Sequence, residues 1–497
     1  MNLKHHILLF AACLLLGVHA TFGQNEEDAL RFSSLLPGGT ARSWALGGAI
    51  GAVGADPGSI TTNPAGLGLY NTSEVSFTPQ FEVNTAKSTH YGLSTSDNDN
   101  RFSFNNLSLI LSYPSEAGKA WRGGVFGLSL DRQASFHWEE HAKGVDVPST
   151  ILQKFVNEAN GISPADLETS LPFTSDLAYM TYGIDPLDTT ANTYRSAVPF
   201  GTAIGQDHMT STAGRLNTTS FFYAGNYMDR LYLGASIGFT GLRYQREMTH
   251  AETMPADTSF DMESLAYKEH LLTTGNGIDL KVGVLARAGK NVRLGLAFQS
   301  PKWLQMSDSY AYDMSTEFRS PDSNGDTQYA LSSPDGTFNY RIRTPWSVLA
   351  SAAFVAGQHG LVSVDYAYTD FRQSKLNKSS DLLDPYDFSK ENEVLSNSTR
   401  ATHSLRVGTE WRAGAWYFRA GWGIWPDAYA ESDPRHGTAY KRYTAGIGYR
   451  TGRLSVDFTA VHGTRDTSYF QYDPSLVQAT NVRLNDTRGM LTLAFRP

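Results

Sequence analysis

The sequence predicts an all-β protein, a 14-stranded antiparallel transmembrane β-barrel with a small N-terminal hatch inside its lumen. Three observations carry this. Segments of alternating apolar and polar residues run almost to the C-terminus. Their connections alternate between short and long. A stretch of different composition, rich in small residues, precedes them at 24–73.

The alternation is clearest near the C-terminus. Leu405, Val407, Thr409 and Trp411 share one face of an extended segment, with Arg406, Gly408 and Glu410 opposite. After Arg412-Ala413-Gly414, Trp416, Phe418, Ala420, Trp422 and Ile424 share a face, with Arg419, Gly421 and Gly423 opposite. A period of two means strands. A long series of such hairpins, apolar and aromatic on one side and charged or glycine-rich on the other, fits lipid outside and a polar lumen inside. A soluble all-β sandwich also alternates, but it seldom alternates long and short loops so regularly.

Composition agrees. The 497 residues carry only 18% charged side chains, yet the mean hydropathy is -0.32, so a bundle of membrane helices is excluded. Apart from the N-terminal run, no segment reaches the ~18 apolar residues that a spanning helix needs. Tyr (25), Phe (26), Trp (9) and Gly (45) are abundant, as lipid-facing strands, interfacial girdles and tight turns require. The net charge of -8 argues against nucleic acid as a partner.

Residues 1–23 read as a secretory signal, with Lys4 in the n-region, an apolar core from Ile7 to Val18, and cleavage after Ala20 or Gly23. The single cysteine, Cys13, lies in that core, so the mature chain needs no disulfide and has no thiol nucleophile. In the hatch segment, Glu26, Glu27 and Asp28 open a short amphipathic helix through Leu36, ended by Pro37-Gly38-Gly39. A run of small residues, 47–55, suits chain packed in a confined space. Asp56-Pro57-Gly58 and Asn63-Pro64-Ala65-Gly66-Leu67 read as turns.

The barrel, 74–497, contains fourteen strand candidates at 74–87, 102–113, 122–138, 214–228, 231–248, 268–288, 291–312, 336–356, 361–373, 401–412, 415–426, 439–450, 453–465 and 484–496. Connections after even-numbered strands are short; those after odd-numbered strands are expected to be long and polar. The largest, 139–213, should contain a helix near 150–159. Short turns on one rim and long loops on the other match an outer-membrane barrel, and an even strand count closes it without an edge.

Asn63-Pro64-Ala65-Gly66-Leu67, preceded by 48–53 and Asp56, resembles the hatch of the FadL/TodX family of outer-membrane transporters of long-chain fatty acids and hydrophobic compounds. Gly277 to Pro301, the Arg406 to Trp422 hairpin and Ala445 to Arg450 resemble that family's strands. The resemblance implies a hatch at Asn63, Pro64, Ala65 and Gly66, and passive, ligand-gated uptake of a hydrophobic small molecule. Ligand would leave sideways into the membrane through a gap near a kinked third strand. Gly123, Gly124 and Gly127 mark where that strand could bend. The implied setting is the Gram-negative outer membrane, multi-pass and monomeric among its lipids. The family's ligand-contacting residues are not matched by any motif.

A hydrophobic carboxylate would need one or two cations beside an apolar pocket. Arg406, Arg419, Glu410 and Lys281 are the lumenal candidates, either as ligand contacts or as a salt-bridge ladder that holds the hatch. No Gly-x-Ser-x-Gly elbow appears and the mature histidines are scattered, so no enzyme is expected. A lipid-hydrolysing barrel would require a Ser–His pair in the lumen. His137 and His141 sit at a strand end without a third ligand, and Asp322 to Asp326 lacks the glycine and glutamate of a calcium loop; no metal or cofactor is expected. The alternative function is a haem-binding or surface-interaction barrel acting through its long loops.

Overall fold

The computed structural model of the protein describes residues 26–115, 118–188, 190–256, 259–379 and 386–497; the expected signal and Cys13 lie outside them. Fourteen antiparallel strands form the wall. They are β1 (Glu74–His90), β2 (Leu93–Pro114), β3 (Trp121–Ser135), β4 (Ile204–Tyr227), β5 (Leu231–Thr253), β6 (Met262–Arg287) and β7 (Val292–Gln299 and Trp303–Phe318). Then come β8 (Gly336–Arg343 and Ser347–Ala356), β9 (Gly360–Asp370), β10 (Ala401–Ala413), β11 (Trp416–Trp425), β12 (Tyr440–Thr451), β13 (Leu454–Tyr469) and β14 (Thr480–Phe495). β14 pairs back onto β1 from Val75↔Phe495 to Thr89↔Asn481, which closes the barrel and removes the edges. β7 and β8 break at Pro301 and Pro345, where proline cannot donate to the ladder.

Outward residues form a continuous apolar surface. Phe77, Phe81, Phe102, Phe104, Phe126 and Leu128 on β1 to β3, and Phe458, Leu491, Leu493 and Phe495 on β13 and β14, all stand exposed. A water-facing monomer does not carry such a band, so this wall spans a membrane.

One expectation is corrected. The β1–β2 connection is not a long loop but the two-residue turn Tyr91-Gly92, with φ of 44° and 80°. Both positive angles give the turn twist that two long strands need, and glycine adopts one of them without strain. The polar segment 93–101 therefore extends a hairpin beyond the membrane. The 139–213 region does contain the expected helix, α3 (Ile151–Ala159), whose N-cap Thr150 accepts from the Leu152 amide at 3.2 Å. Its apolar face packs with Leu167, Leu171, Leu177, Ile184 and Met314 into a compact cap over the loop rim.

The N-terminal segment lies inside the barrel. It carries α1 (Glu26–Arg31), α2 (Ala41–Ala45) and two short 3₁₀ turns, Pro57–Ile60 and Pro64–Leu69. Nearly all of 40–68 is buried against the inner wall near the short-turn rim.

Candidate ligand path and its plug

Polar side chains fasten the inner segment to the wall, among them Asn63 and Arg42. Asn63 caps the second 3₁₀ turn: its Oδ1 accepts from the Ala65 amide at 3.2 Å. Its Nδ2 donates to Gly51 O at 2.8 Å within the segment and to Val284 O at 3.1 Å on β6. This approach needs a bare wall. A Cβ at Gly283 would stand 2.0 Å from Asn63 Oδ1, and one at Gly234 would stand 2.4 Å from the Ala65 amide. On the far side, Arg42 of α2 grips Glu410 of β10 with Nε at 2.8 Å and Nη2 at 3.0 Å. Glu410 also accepts from Arg419 Nε at 2.5 Å, and Arg419 Nη1 donates to Asp457 at 2.6 Å. All four groups are buried, so the chain of charges holds only as a set.

Between this plug and the loop cap lies a buried apolar cluster, the chamber in which the N-terminal helix is packed. Leu216, Leu242, Leu271, Met306, Tyr340 and Ile342 line it from β4 to β8. It is filled by the chain's own N-terminal helix. The Phe32 ring, just after α1, meets Phe136 at 5.7 Å and Tyr244 at 5.9 Å, both edge to face. At the helix, Arg31 lies over Tyr244 at 4.7 Å and bonds Asp28. Burial pushes the Asp28 carboxyl up to about 6, against the pull of Arg31. Above, Phe173 of the cap meets Tyr310 edge to face at 5.0 Å, so cap and chamber are continuous in apolar surface.

The chamber adjoins a break in the wall. β2 pairs with β3 only from Asn106↔Asp131 to Pro114↔Gly123. Over Leu93–Asn105, β2 has no ladder partner on that side among the described residues, although Thr95 Oγ1 donates to the His141 carbonyl across the gap. β3 parts from β2 after Asp131 but stays on β4 to Ser135↔Arg215, and the chain resumes as a strand, Trp138–Val147, also paired to β4. The departure is inward. The lumen-facing Asn84 of β1 donates to His137 O at 2.6 Å, and a Cβ on Gly144 would stand 2.9 Å from the His90 ring. The turn inward drops Phe136 into the chamber. On the outside, Phe102, Phe104 and Leu130 flank the break, which puts its lower end at the level of the lipid-facing band.

The structure separates the sequence candidates. Glu410 and Arg419 meet, but their partners are Arg42 and Asp457. Arg406 pairs instead with Asp365 at 3.3 Å. Lys281 sits on β6 with Asp279 at 3.0 Å, and Asp279 also takes Lys302 at 2.5 Å. Gly123, Gly124 and Gly127 lie where β3 pairs with both neighbours; β3 parts from β2 only after Asp131. Sequence reasoning missed Arg42, Phe32 and Phe136. Composition could have flagged Arg42, the one cation in the small-residue run 38–58.

No protein-family model matches the sequence, and no curated protein does. Solved structures do match in fold. A Pseudomonas aeruginosa FadL homologue aligns over 93% of this chain and 99% of its own, at 13% identity and a TM-score of 0.55. The Pseudomonas putida toluene transporter TodX aligns over 93% and 98%, at 12% identity and a TM-score of 0.52. The chain thus has the FadL/TodX-type barrel, 14 strands with the N-terminal segment at one end.

Proposed function

We propose that this protein is an outer-membrane channel that admits hydrophobic small molecules and releases them sideways into the membrane. One observation carries the reading: Phe136, on the segment where β3 leaves the wall, lines the same apolar chamber that Phe32 fills. A ligand entering that chamber displaces Phe32 and comes to lie against the segment that borders the opening. The likeness to a FadL homologue and to a toluene transporter supports the same class of cargo. No step needs a nucleophile or an energy source; the gradient and the apolar surface of the chamber suffice. In this reading the inner segment, held by Asn63 and the Arg42–Glu410–Arg419 set, blocks the lumen and the cargo takes the sideways route.

Uptake of a radiolabelled hydrophobic compound by cells making the protein tests this. Leu216→Asp or Phe136→Asp places a charge in the chamber and is expected to cut uptake tenfold or more, since an unpaired buried carboxylate is strongly disfavoured there. Removing most of the loop cap should reduce uptake less. Full uptake by both variants, present at normal levels in the outer membrane, would overturn the proposal. Loss on cap removal alone would favour a binding protein that acts through its loops.

A further inference from the structure

On the outer face of β5 to β7 the lipid-facing band ends, toward the long loops, in Phe239, Ile278 and Trp303. These three stand side by side in the register, and all are exposed. The same row continues into Arg343 on β8 and Lys375 on the short strand Lys375–Lys378. One row further from the membrane come Gly241, Asn276, Gln305, Arg341 and Asn377. Arg215 of β4 and Arg243 of β5 lie directly opposite each other one row beyond. All these cations face outward, alternating with the buried Leu216, Leu242, Ile342 and Leu376. Between the apolar row and Arg341 the outer wall is hollowed: a cleft of about 640 Å³ is lined by Phe239, Ile278, Trp303, Gln305, Arg341 and Arg343.

Arg215, Arg243, Arg341, Arg343 and Lys375 have no carboxylate within ion-pair distance among the described residues. Arg341 Nε donates to Lys378 O at 2.9 Å and Arg343 Nη2 to Gln373 O at 3.5 Å, while Arg343 Nε is buried without a partner. Asp370, close in the chain, is taken up by Arg372, which donates to its two oxygens at 2.8 and 2.9 Å. On β5 the first outward acid is Glu247, two outward places beyond Arg243. Elsewhere on the outer face arginines carry acids: Arg483 holds Asp466 at 2.7 Å and Arg122 faces Asp229 at 3.5 Å. Like charges set directly opposite, as Arg215 and Arg243 are, destabilise a sheet unless an anion lies over them. This patch stands on a chain whose net charge is -8.

We infer that this outer face is a binding site for a membrane lipid with a phosphorylated head group. Its acyl chains lie on Phe239, Ile278 and Trp303, and its phosphate oxygens sit on the arginines, whose planar forks suit them. Apolar surface below and unpaired cations above match an anionic amphiphile standing in the leaflet on the long-loop side. The cations form two groups, Arg215 with Arg243, and Arg341 with Arg343 and Lys375. Three strand spacings of ~4.8 Å separate them, about 14 Å, so a head group with two phosphates reaches both. A zwitterionic head, which brings its own ammonium, gains less. The site lies outside the lumen and stands whether or not the lumen conducts.

The test uses the purified full-length protein in detergent, titrated with diphosphorylated lipid A or with phosphatidylethanolamine and read by native mass spectrometry. Lipid A is expected to bind at least about tenfold tighter than phosphatidylethanolamine. The triple variant R341Q/R343Q/K375Q should lose about tenfold or more of that affinity. R483Q, which removes an outward cation elsewhere on the wall, should keep it, and millimolar inorganic phosphate should leave most of the lipid bound. Equal binding of the two lipids, or full affinity in the triple variant, would overturn the inference. So would an equal loss in R483Q, which would mean that only overall charge matters. Displacement by inorganic phosphate would mark a site for free anions and overturn the lipid assignment. Should the triple variant fail to reach the folded form, R215Q/R243Q removes the other cation group: a several-fold loss supports the site, and unchanged affinity overturns it.

Discussion

The two sides of the plug are held by different physics. Along β10 to β13 the inner segment is locked by charge: Arg42, Glu410, Arg419 and Asp457 form one buried chain, and Thr444 and Thr459 donate to the Ala45 and Ala41 carbonyls of α2 at 2.9 and 2.6 Å. Along β3 to β8 the N-terminal helix is held by rings, chiefly Phe32 against Phe136 and Tyr244. A hydrophobic molecule cannot replace an ion chain, because every group it displaced would be left buried and unpaired. It can replace a phenyl ring in an apolar chamber at little cost. The difference teaches which part of the lumen yields to cargo and which part stays.

The comparison can be broken from its ionic side first. Glu410→Ala leaves Arg42 and Arg419 facing each other, and the inner segment should lose about 3–5 kcal/mol of its hold. Amide exchange across 41–69 should then rise a hundredfold or more, with exchange near Phe32 little changed. Phe32→Ala attacks the other side. Removing the ring costs the docked helix about 3 kcal/mol, so exchange should rise in 28–35 alone. The same variant should bind a hydrophobic probe several-fold tighter, since the chamber no longer holds its own occupant. Asn63→Ala removes donors to the Gly51 and Val284 carbonyls and should loosen the second 3₁₀ turn by about 2 kcal/mol.

A smaller effect sharpens the apolar side. Asp28 lies on α1, off the strands, and its carboxyl is raised from 3.8 to about 6. A raised carboxyl means that the docked helix holds the proton more tightly than the released one. Docking is therefore strongest below about pH 4 and weakens as pH rises through about 6. Exchange in 28–35 should be slower at pH 4 than at pH 7 after correction for intrinsic rates, and Asp28→Asn should remove that dependence.

Much of the wall was legible in the sequence. The fourteen strands and the short-turn rim follow from a two-residue period and from Gly-containing turns, which are local signals. The buried inner segment followed from its run of small residues, and Asn63 from its place before a proline. The β1–β2 turn was misread because 93–101 is polar on both faces, so no alternation marks it as a strand. The inward departure of β3 was not legible either. Gly123, Gly124 and Gly127 are the conspicuous residues, yet the chain turns at 132–137, where the sequence Arg-Gln-Ala-Ser-Phe-His carries no breaker. What bends it there is tertiary: Phe136 finds the chamber and the His137 carbonyl finds Asn84. Pairings such as Arg42 with Glu410 span 368 residues, and alternation shows only that both face inward, not that they meet.

The most direct test of the central claim is amide exchange of the full-length protein in detergent with and without a saturating hydrophobic ligand, such as palmitate. Exchange is predicted to rise in 28–35 and to change in 132–137, with 47–69 unaltered. A ligand that loosens 47–69 and leaves 28–35 protected would contradict the account, because the ionic side would then be the one that yields.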